Sequence, residues 1–401
     1  MDYRFAKNIE NLKPSAIREI LKAPSDADTI SFAAGNPAPE SFPVADMSRI
    51  SAQIYRDCAA AALQYSITEG YPPLRADVAE RNRRLFGIGA SGDGWQDETL
   101  IVSGGTQGIE LACRVLCNPG DEVICEDPTF IGALNAFRSA GAVPVGVPLT
   151  PNGIDTDALA RVLATHPRAR MLYIIPTFQN PTGISWDSKT RTRVYELARQ
   201  YGVMILEDNP YGELRFAGED LPTIKSADTE GIVIYCSSFS KILSAGMRIG
   251  YVIAPNPVTA KMTVQKQVED VHTNLFFQML CHRYLHECDM DAHIRDIRQI
   301  YRHKCTLMLD ALDAAMPDGI TYTRPQGGLF IWCTLPKGTD SNAFLRLCEK
   351  RKVRVVPGAA FNCDPEASSD SFRLNYSTPS DAQITEGIQR LADAARELLG
   401  S

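Results

Sequence analysis

Residues 232–254 read IVIYCSSFSKILSAGMRIGYVIA. The continuous apolar run 232–236 predicts a strand buried on both faces. Ser237-Ser238-Phe239-Ser240-Lys241 follows it directly, and Arg248 opens a second run, 249–254. A lysine just past a buried strand end is held near the interior, where its ammonium form is costly. The amine left there is suited to Schiff-base chemistry. A single lysine after a strand is ordinarily a surface residue. Here two cations and the hydroxyls of Ser237, Ser238 and Ser240 fall within a dozen residues, a set suited to cradling a phosphate.

Working outward, similar β-rich runs occupy 100–103, 122–125, 143–147, 171–175 and 203–206, with helical patterns at 106–116 and 189–201. Alternation of buried strands with helices predicts an α/β protein, a three-layer sandwich around a mainly parallel seven-stranded sheet. A long helical stretch is expected over 257–316. The last part, 321–399, mixes strands at 329–334 and 371–376 with two helices and predicts a smaller α+β domain. The expected division is an N-terminal segment, 1–50, associated with the small domain as a substrate-side lid; a large domain, 51–290; and a small C-terminal domain, 291–401. Within the first segment, 14–22 predicts a short helix, and the proline-rich 34–43 predicts a structured loop.

Three further strand ends carry polar groups. Ser103-Gly104-Gly105-Thr106-Gln107-Gly108 lies between a strand and a helix. Its glycines admit close backbone approach, and the helix start offers free N–H groups to an anion. It has neither the Rossmann nor the P-loop spacing. Asp208 follows the run 203–206 and can keep a ring nitrogen protonated, although a strand-end Asp commonly just caps a turn. Asn180, in Asn180-Pro181-Thr182-Gly183, follows 171–175, and each of its dipeptides also favours an ordinary turn. In open α/β sheets ligands bind outside the carboxyl ends of the strands, where all these residues lie.

Composition narrows the class. Of 401 residues 44% are hydrophobic and 22% charged, with net charge −7, so no basic nucleic-acid-binding face is expected. No run approaches the roughly 18 apolar residues of a membrane span, and Met1-Asp2-Tyr3-Arg4-Phe5 has no apolar core of signal-peptide length. The eleven cysteines show no Cys-x-x-Cys pair, and a reducing, cytoplasmic setting is expected. His282 and His286 have helical metal-ligand spacing, but no Glu follows His282 and no third ligand is apparent, so no metal is expected. Cys113 and Cys117 suit a helix core.

With these motifs in hand, the chain resembles the fold-type-I, class I/II aminotransferases that use pyridoxal 5′-phosphate, over nearly its whole length. Ser238 to Lys241 matches the motif that supplies the Schiff-base lysine, and Arg248 the phosphate arginine. Gly105, Thr106, Ser238 and Ser240 match phosphate-binding positions. Asn180 and Tyr211 are implied to bond the cofactor's phenolic oxygen, and Asp208 its pyridine nitrogen. Phe130, in Asp127-Pro128-Thr129-Phe130, matches the ring-stacking aromatic; that position is often Tyr, so any hydroxyl role is absent. Arg373, in Ser371-Phe372-Arg373-Leu374-Asn375, matches the arginine that grips a substrate α-carboxylate, with Asn180 and Gly35 beside it.

The N-terminal motifs at 15–21, 37–43 and 64–70 resemble those of the 2-aminoadipate and kynurenine aminotransferases. By that resemblance Tyr65 reaches the cofactor phosphate of a partner subunit, which implies a homodimer, and Arg18 meets a distal carboxylate of the substrate. A solvated helix arginine is the competing account of Arg18. The implied activity is ping-pong transfer of the amino group of an L-amino acid (2-aminoadipate, glutamate, aromatic or branched-chain) to a 2-oxo acid, with 2-oxoglutarate the expected acceptor. Lys241 would carry the Cα proton, with Asp208 and Tyr211 completing the catalytic set. A β-lyase or decarboxylase would use the same residues. A regulator that binds the cofactor without catalysis is disfavoured, because no basic region is present.

Overall fold

The computed structural model describes residues 3–10, 12, 14 and 28–400. The expected helix over 14–22 and Arg18 lie outside the described residues, apart from Pro14.

The central sheet carries β1 (Trp95–Val102), β2 (Glu122–Asp127), β3 (Val143–Thr150), β4 (Ala169–Ile174), β5 (Met204–Asp208), β6 (Val233–Ser238) and β7 (Gly250–Pro255). Their order is β1-β7-β6-β5-β4-β2-β3, and the two-residue strands Ser91–Gly92 and Gly153–Ile154 extend the edges to nine strands. The pairs β2–β3, β2–β4, β4–β5 and β5–β6 are parallel, while β7 runs antiparallel to β1 and β6. All seven expected runs are strands of this sheet.

Helices pack on both faces and on the C-terminal part: α1 (Val44–Ala62), α2 (Pro72–Phe86), α3 (Gly105–Leu116), α4 (Ile131–Ser139), α5 (Ser188–Tyr201), α6 (Asn256–Glu269) and α7 (Leu275–Glu287), then α8 (Met290–Ala315) and α9 (Asp381–Leu399), which pack on each other. Alternate residues of one strand serve opposite cores. On β4, Met171 and Tyr173 pack with Ile109, Leu111 and Phe137, whereas Leu172 and Ile174 pack with Trp186, Val194 and Leu197. This double burial explains the unbroken apolar runs. Each such side chain contributes about 1.5–3 kcal/mol.

The stretch expected to be one long helical region divides into α6, α7 and α8. The interruptions are set by polar caps: Asn274 accepts from the Phe277 N–H, and Asp289 from the Ala292 N–H. Beyond α8, β8 (Phe330–Thr334) and β9 (Ser371–Asn375) pair antiparallel, with Trp332 opposite Arg373. Near the N-terminus, Ile30–Ser31 pairs parallel with Val353–Arg354, and the following loop, from Phe32 on, reaches Lys241 beyond the end of β6. No helix among the described residues is long and apolar enough to cross a membrane.

Candidate active site

The reversal between β6 and β7 builds the centre of the site. Register pairs Ser238 with Gly250, so the intervening residues return to the same end of the sheet. Ser238 caps a short turn, Phe239–Lys241, by accepting from the Ser240 N–H. Its hydroxyl donates to Ser240 Oγ at 2.7 Å. Lys241 Nζ donates to the carbonyl of Gly35 at 2.5 Å. Part of the Lys241 side chain is open to the site, but its amine is enclosed. Burial, then Arg373, then Arg248 hold its pKa down to about 8.

Arg248 stands beside the glycine turn. Its guanidinium contacts Ser240 Oγ at 3.5 Å and donates to the carbonyls of Ala245 and Ser103 at 3.1 and 3.3 Å. A Cβ on Gly104 would lie 1.9 Å from Arg248 Nη2, and Gly104 has φ +88°. Only glycine permits both the conformation and the approach. The turn enters α3 at Gly105, with Thr106 next, so the helix start and its free N–H groups lie beside the Arg248 guanidinium. A buttress unseen in the sequence holds this turn. Lys266 and Asp270 pair at 2.7 Å, Ser103 Oγ donates to Asp270 at 2.7 Å, and Lys266 donates to Gln107 at 2.9 Å.

The other strand ends carry Asp208 and Asn180. Asp208, the last residue of β5, is buried and accepts from the Tyr173 hydroxyl at 2.8 Å. Burial pushes its pKa up to about 7, against the lowering effect of that hydrogen bond. Tyr173 was not anticipated; its hydroxyl lies inside an apolar run, and only strand adjacency shows what it meets. Asn180 accepts from Arg373 Nη1 at 2.8 Å, and its side chain lies near the Tyr211 hydroxyl. Arg373 Nη2 donates to the Ala33 carbonyl at 2.8 Å. Its guanidinium lies 4.1 Å from the Phe330 ring centroid and 5.0 Å from that of Phe361, a pair of aromatic faces that no motif revealed. Arg373 Nε is buried without a hydrogen-bond partner among the described residues, so the guanidinium still has a donor to offer.

Phe130 follows the end of β2 and stands half-buried at the start of α4. Tyr65 is 80% exposed, with its ring edge-on to His272, and is not gathered into this cluster. His282 and His286 do have a third potential ligand. Asp77 of α2 lies 2.6 Å from His282 Nδ1 and 2.8 Å from His286 Nε2. The pairing joins α2 to α7 across 205 residues, a separation that linear spacing could not reveal.

The arrangement fits pyridoxal 5′-phosphate. A helix start, two serines and an arginine suit its phosphate; Asp208, with one hydroxyl partner among the described residues, suits a protonated ring nitrogen; and the lowered Lys241 amine suits its carbonyl.

Comparison with known proteins agrees. The model of the family described as aminotransferase class I and II matches residues 28–391. Aromatic-amino-acid aminotransferase 1 of Thermococcus litoralis is 40% identical, covering 99% of this chain and 95% of its own. The 2-aminoadipate transaminase of Thermus thermophilus is 39% identical, covering 98% and 97%. The crystal structure of Pyrococcus horikoshii kynurenine aminotransferase in complex with PMP superposes with a TM-score of 0.93 at 38% identity, covering 99% of this chain and 98% of that one.

Proposed function

The chain belongs to the class I and II aminotransferase family, and on that premise we propose that it moves the amino group of an L-amino acid to a 2-oxo acid at the site around Lys241. The observation that carries this is the enclosed Lys241 amine, held near pKa 8 by burial and by Arg373 and Arg248. Pyridoxal 5′-phosphate, the cofactor, supplies an electrophilic carbonyl and a ring able to take up charge from the substrate Cα.

The residues divide the work. Gly105, Thr106, Ser238, Ser240 and Arg248 hold the phosphate. Asp208 holds a proton at the ring nitrogen, which its partly desolvated carboxylate favours once a cation stands beside it. Asn180 and Tyr211 offer hydrogen bonds at the phenolic oxygen, and Phe130 covers a ring face. Arg373 binds the substrate α-carboxylate, where a planar fork matches two oxygens. Gly35 lines the same side, its carbonyl orienting Lys241. Lys241, as neutral amine, would take the Cα proton and return it on the cofactor side of the shared nitrogen.

The donors proposed are aromatic L-amino acids and 2-aminoadipate, with 2-oxoglutarate as acceptor. The relatives named above support this, as do the aromatic rings of Phe330 and Phe361 around Arg373. Arg18 is the proposed contact for a distal carboxylate. A homodimer is proposed in which Tyr65, exposed in the single chain, reaches the partner's phosphate site. The proposed division remains 1–50, 51–290 and 291–401, supported by the pairing of Ile30–Ser31 with Val353–Arg354. A cytoplasmic setting is proposed from the free thiols.

The test is spectral and kinetic. Reconstituted protein should lose the cofactor's visible absorbance on addition of an amino donor and regain it on addition of 2-oxo acid. A panel of donors against 2-oxoglutarate then ranks substrates. Turnover that needs no 2-oxo acid would point to lyase chemistry instead, and a normally active Lys241→Ala variant would overturn the assignment. For the dimer, mixing Lys241→Ala with Tyr65→Ala subunits should recover activity, because one of the two sites then carries neither change.

A further inference from the structure

We propose that Asp77, His282 and His286 form a transition-metal site, selective for Zn²⁺-like ions, that staples helix α2 to helix α7 away from the active site.

His282 and His286 are one helical turn apart on α7, so their rings project from the same face, with centroids 4.6 Å apart. Asp77 comes from α2 and points one carboxylate oxygen at each ring, at 2.6 and 2.8 Å. One ligand atom from each of the three residues lies within 4.8 Å of the other two. The nearby arginines are engaged elsewhere. Arg81 pairs with Glu213 and Asp291, Arg84 with Asp291, and Arg283 with Asp57. The side chains hydrogen-bonded to Asp77 among the described residues are thus the two imidazoles, with the buried Cys281 thiol nearby. The Tyr71 ring packs edge-on against His282 at 5.7 Å, limiting its rotation.

The donor set decides the ion. Two imidazole nitrogens and one carboxylate oxygen suit Zn²⁺, Ni²⁺ or Cu²⁺, whereas Mg²⁺ and Ca²⁺ favour all-oxygen shells. The layout also suits entry. The Asp77 side chain is 15% exposed, at the base of the cluster, and that of His286 is 60% exposed, at its mouth. An ion can arrive from solvent and keep water in its remaining position. Adjacent ligands around tetrahedral zinc sit about 3.3 Å apart, given bonds of about 2.0–2.1 Å. The carboxylate therefore retreats by about half an ångström as the ion takes the lone pair of one nitrogen on each ring, each neutral imidazole keeping its proton on the other nitrogen. Bound ion then links two helices about 200 residues apart in sequence, which stabilises the folded state by mass action.

The experiment titrates ZnCl₂ into holoenzyme in chelator-free buffer, by calorimetry and by thermal unfolding. Wild type should bind one ion per chain at this site and unfold at a higher temperature with zinc present. His286→Ala, at an exposed position, and Asp77→Asn should each weaken that binding by about tenfold or more and lose the thermal shift. Cofactor absorbance and transaminase activity should be unchanged in His286→Ala, showing that the variant is folded. Equal zinc affinity and equal thermal shift in wild type and both variants would overturn the proposal. So would the absence of zinc binding in wild type, which would leave Asp77 as a hydrogen-bond acceptor for two imidazoles.

Discussion

Arg373 donates to Asn180 across 193 residues of sequence, at 2.8 Å, while two aromatic rings flank its guanidinium. A strand of the C-terminal sheet and a loop of the large sheet are thereby locked at the place where a substrate carboxylate is expected. Arg373→Lys keeps the charge and loses the planar fork. It should lower kcat/KM for α-amino acids by about 10- to 100-fold, mainly through KM, a loss of about 1.4–3 kcal/mol. Amines that lack a carboxylate should show no comparable loss; an equal loss for both classes would place Arg373 outside carboxylate binding.

Asp208 should separate cofactor retention from chemistry. Asp208→Ala leaves the phosphate cradle intact but gives no anion to hold the ring proton. Transamination should fall by about 10³-fold or more, about 4 kcal/mol in barrier, while bound phosphate measured after dialysis stays near one per chain. Tyr173→Phe removes one hydrogen bond to that carboxylate and should cost about 1–2 kcal/mol at most. Steady-state rates that rank Tyr173→Phe as more damaging than Asp208→Ala would contradict this division.

Cofactor loading should depend on pH through Lys241. Its amine is held near 8, and only the neutral form attacks a carbonyl. For a group of that pKa, about one-tenth is neutral at pH 7 and about nine-tenths at pH 9. The rate at which apoprotein takes up pyridoxal 5′-phosphate covalently, followed by absorbance, should rise several-fold over that interval and level off above it. A rate independent of pH from 7 to 9 would mean that the amine is not the titrating nucleophile.

Glu126 provides a test of stability. Its buried carboxylate accepts from the Trp186 indole at 3.0 Å and from the Ile175 N–H at 2.9 Å. Burial outweighs these donors and raises its pKa from 4.5 to about 8. The group binds a proton more tightly folded than unfolded. Its contribution is therefore fully present below about 4.5 and lost as pH rises toward 8. Glu126→Gln should flatten the decline in urea-unfolding stability between about pH 5 and 8 relative to wild type. Parallel curves for the two proteins would show that Glu126 does not titrate in that range.

The sequence by itself determined the α/β class, the seven main strands and the strand ends that carry Lys241, Asp208, Asn180 and the Gly104–Gly105 turn. These were legible because double-sided burial writes unbroken apolar runs, and because glycine and capping polar residues obey local backbone rules. The division of 257–316 into three helices depended on caps at Asn274 and Asp289, short local signals overshadowed by the helical pattern around them. Tertiary structure alone decided what meets across the chain: Tyr173 with Asp208, the aromatic rings with Arg373, Lys266–Asp270 under the glycine turn, and Asp77 with the two histidines. The physical reason is that periodicity and turn chemistry act over a few residues, whereas these contacts follow from strand order and helix packing. A tyrosine in an apolar strand or an aspartate on a helix has the same local pattern whatever it faces.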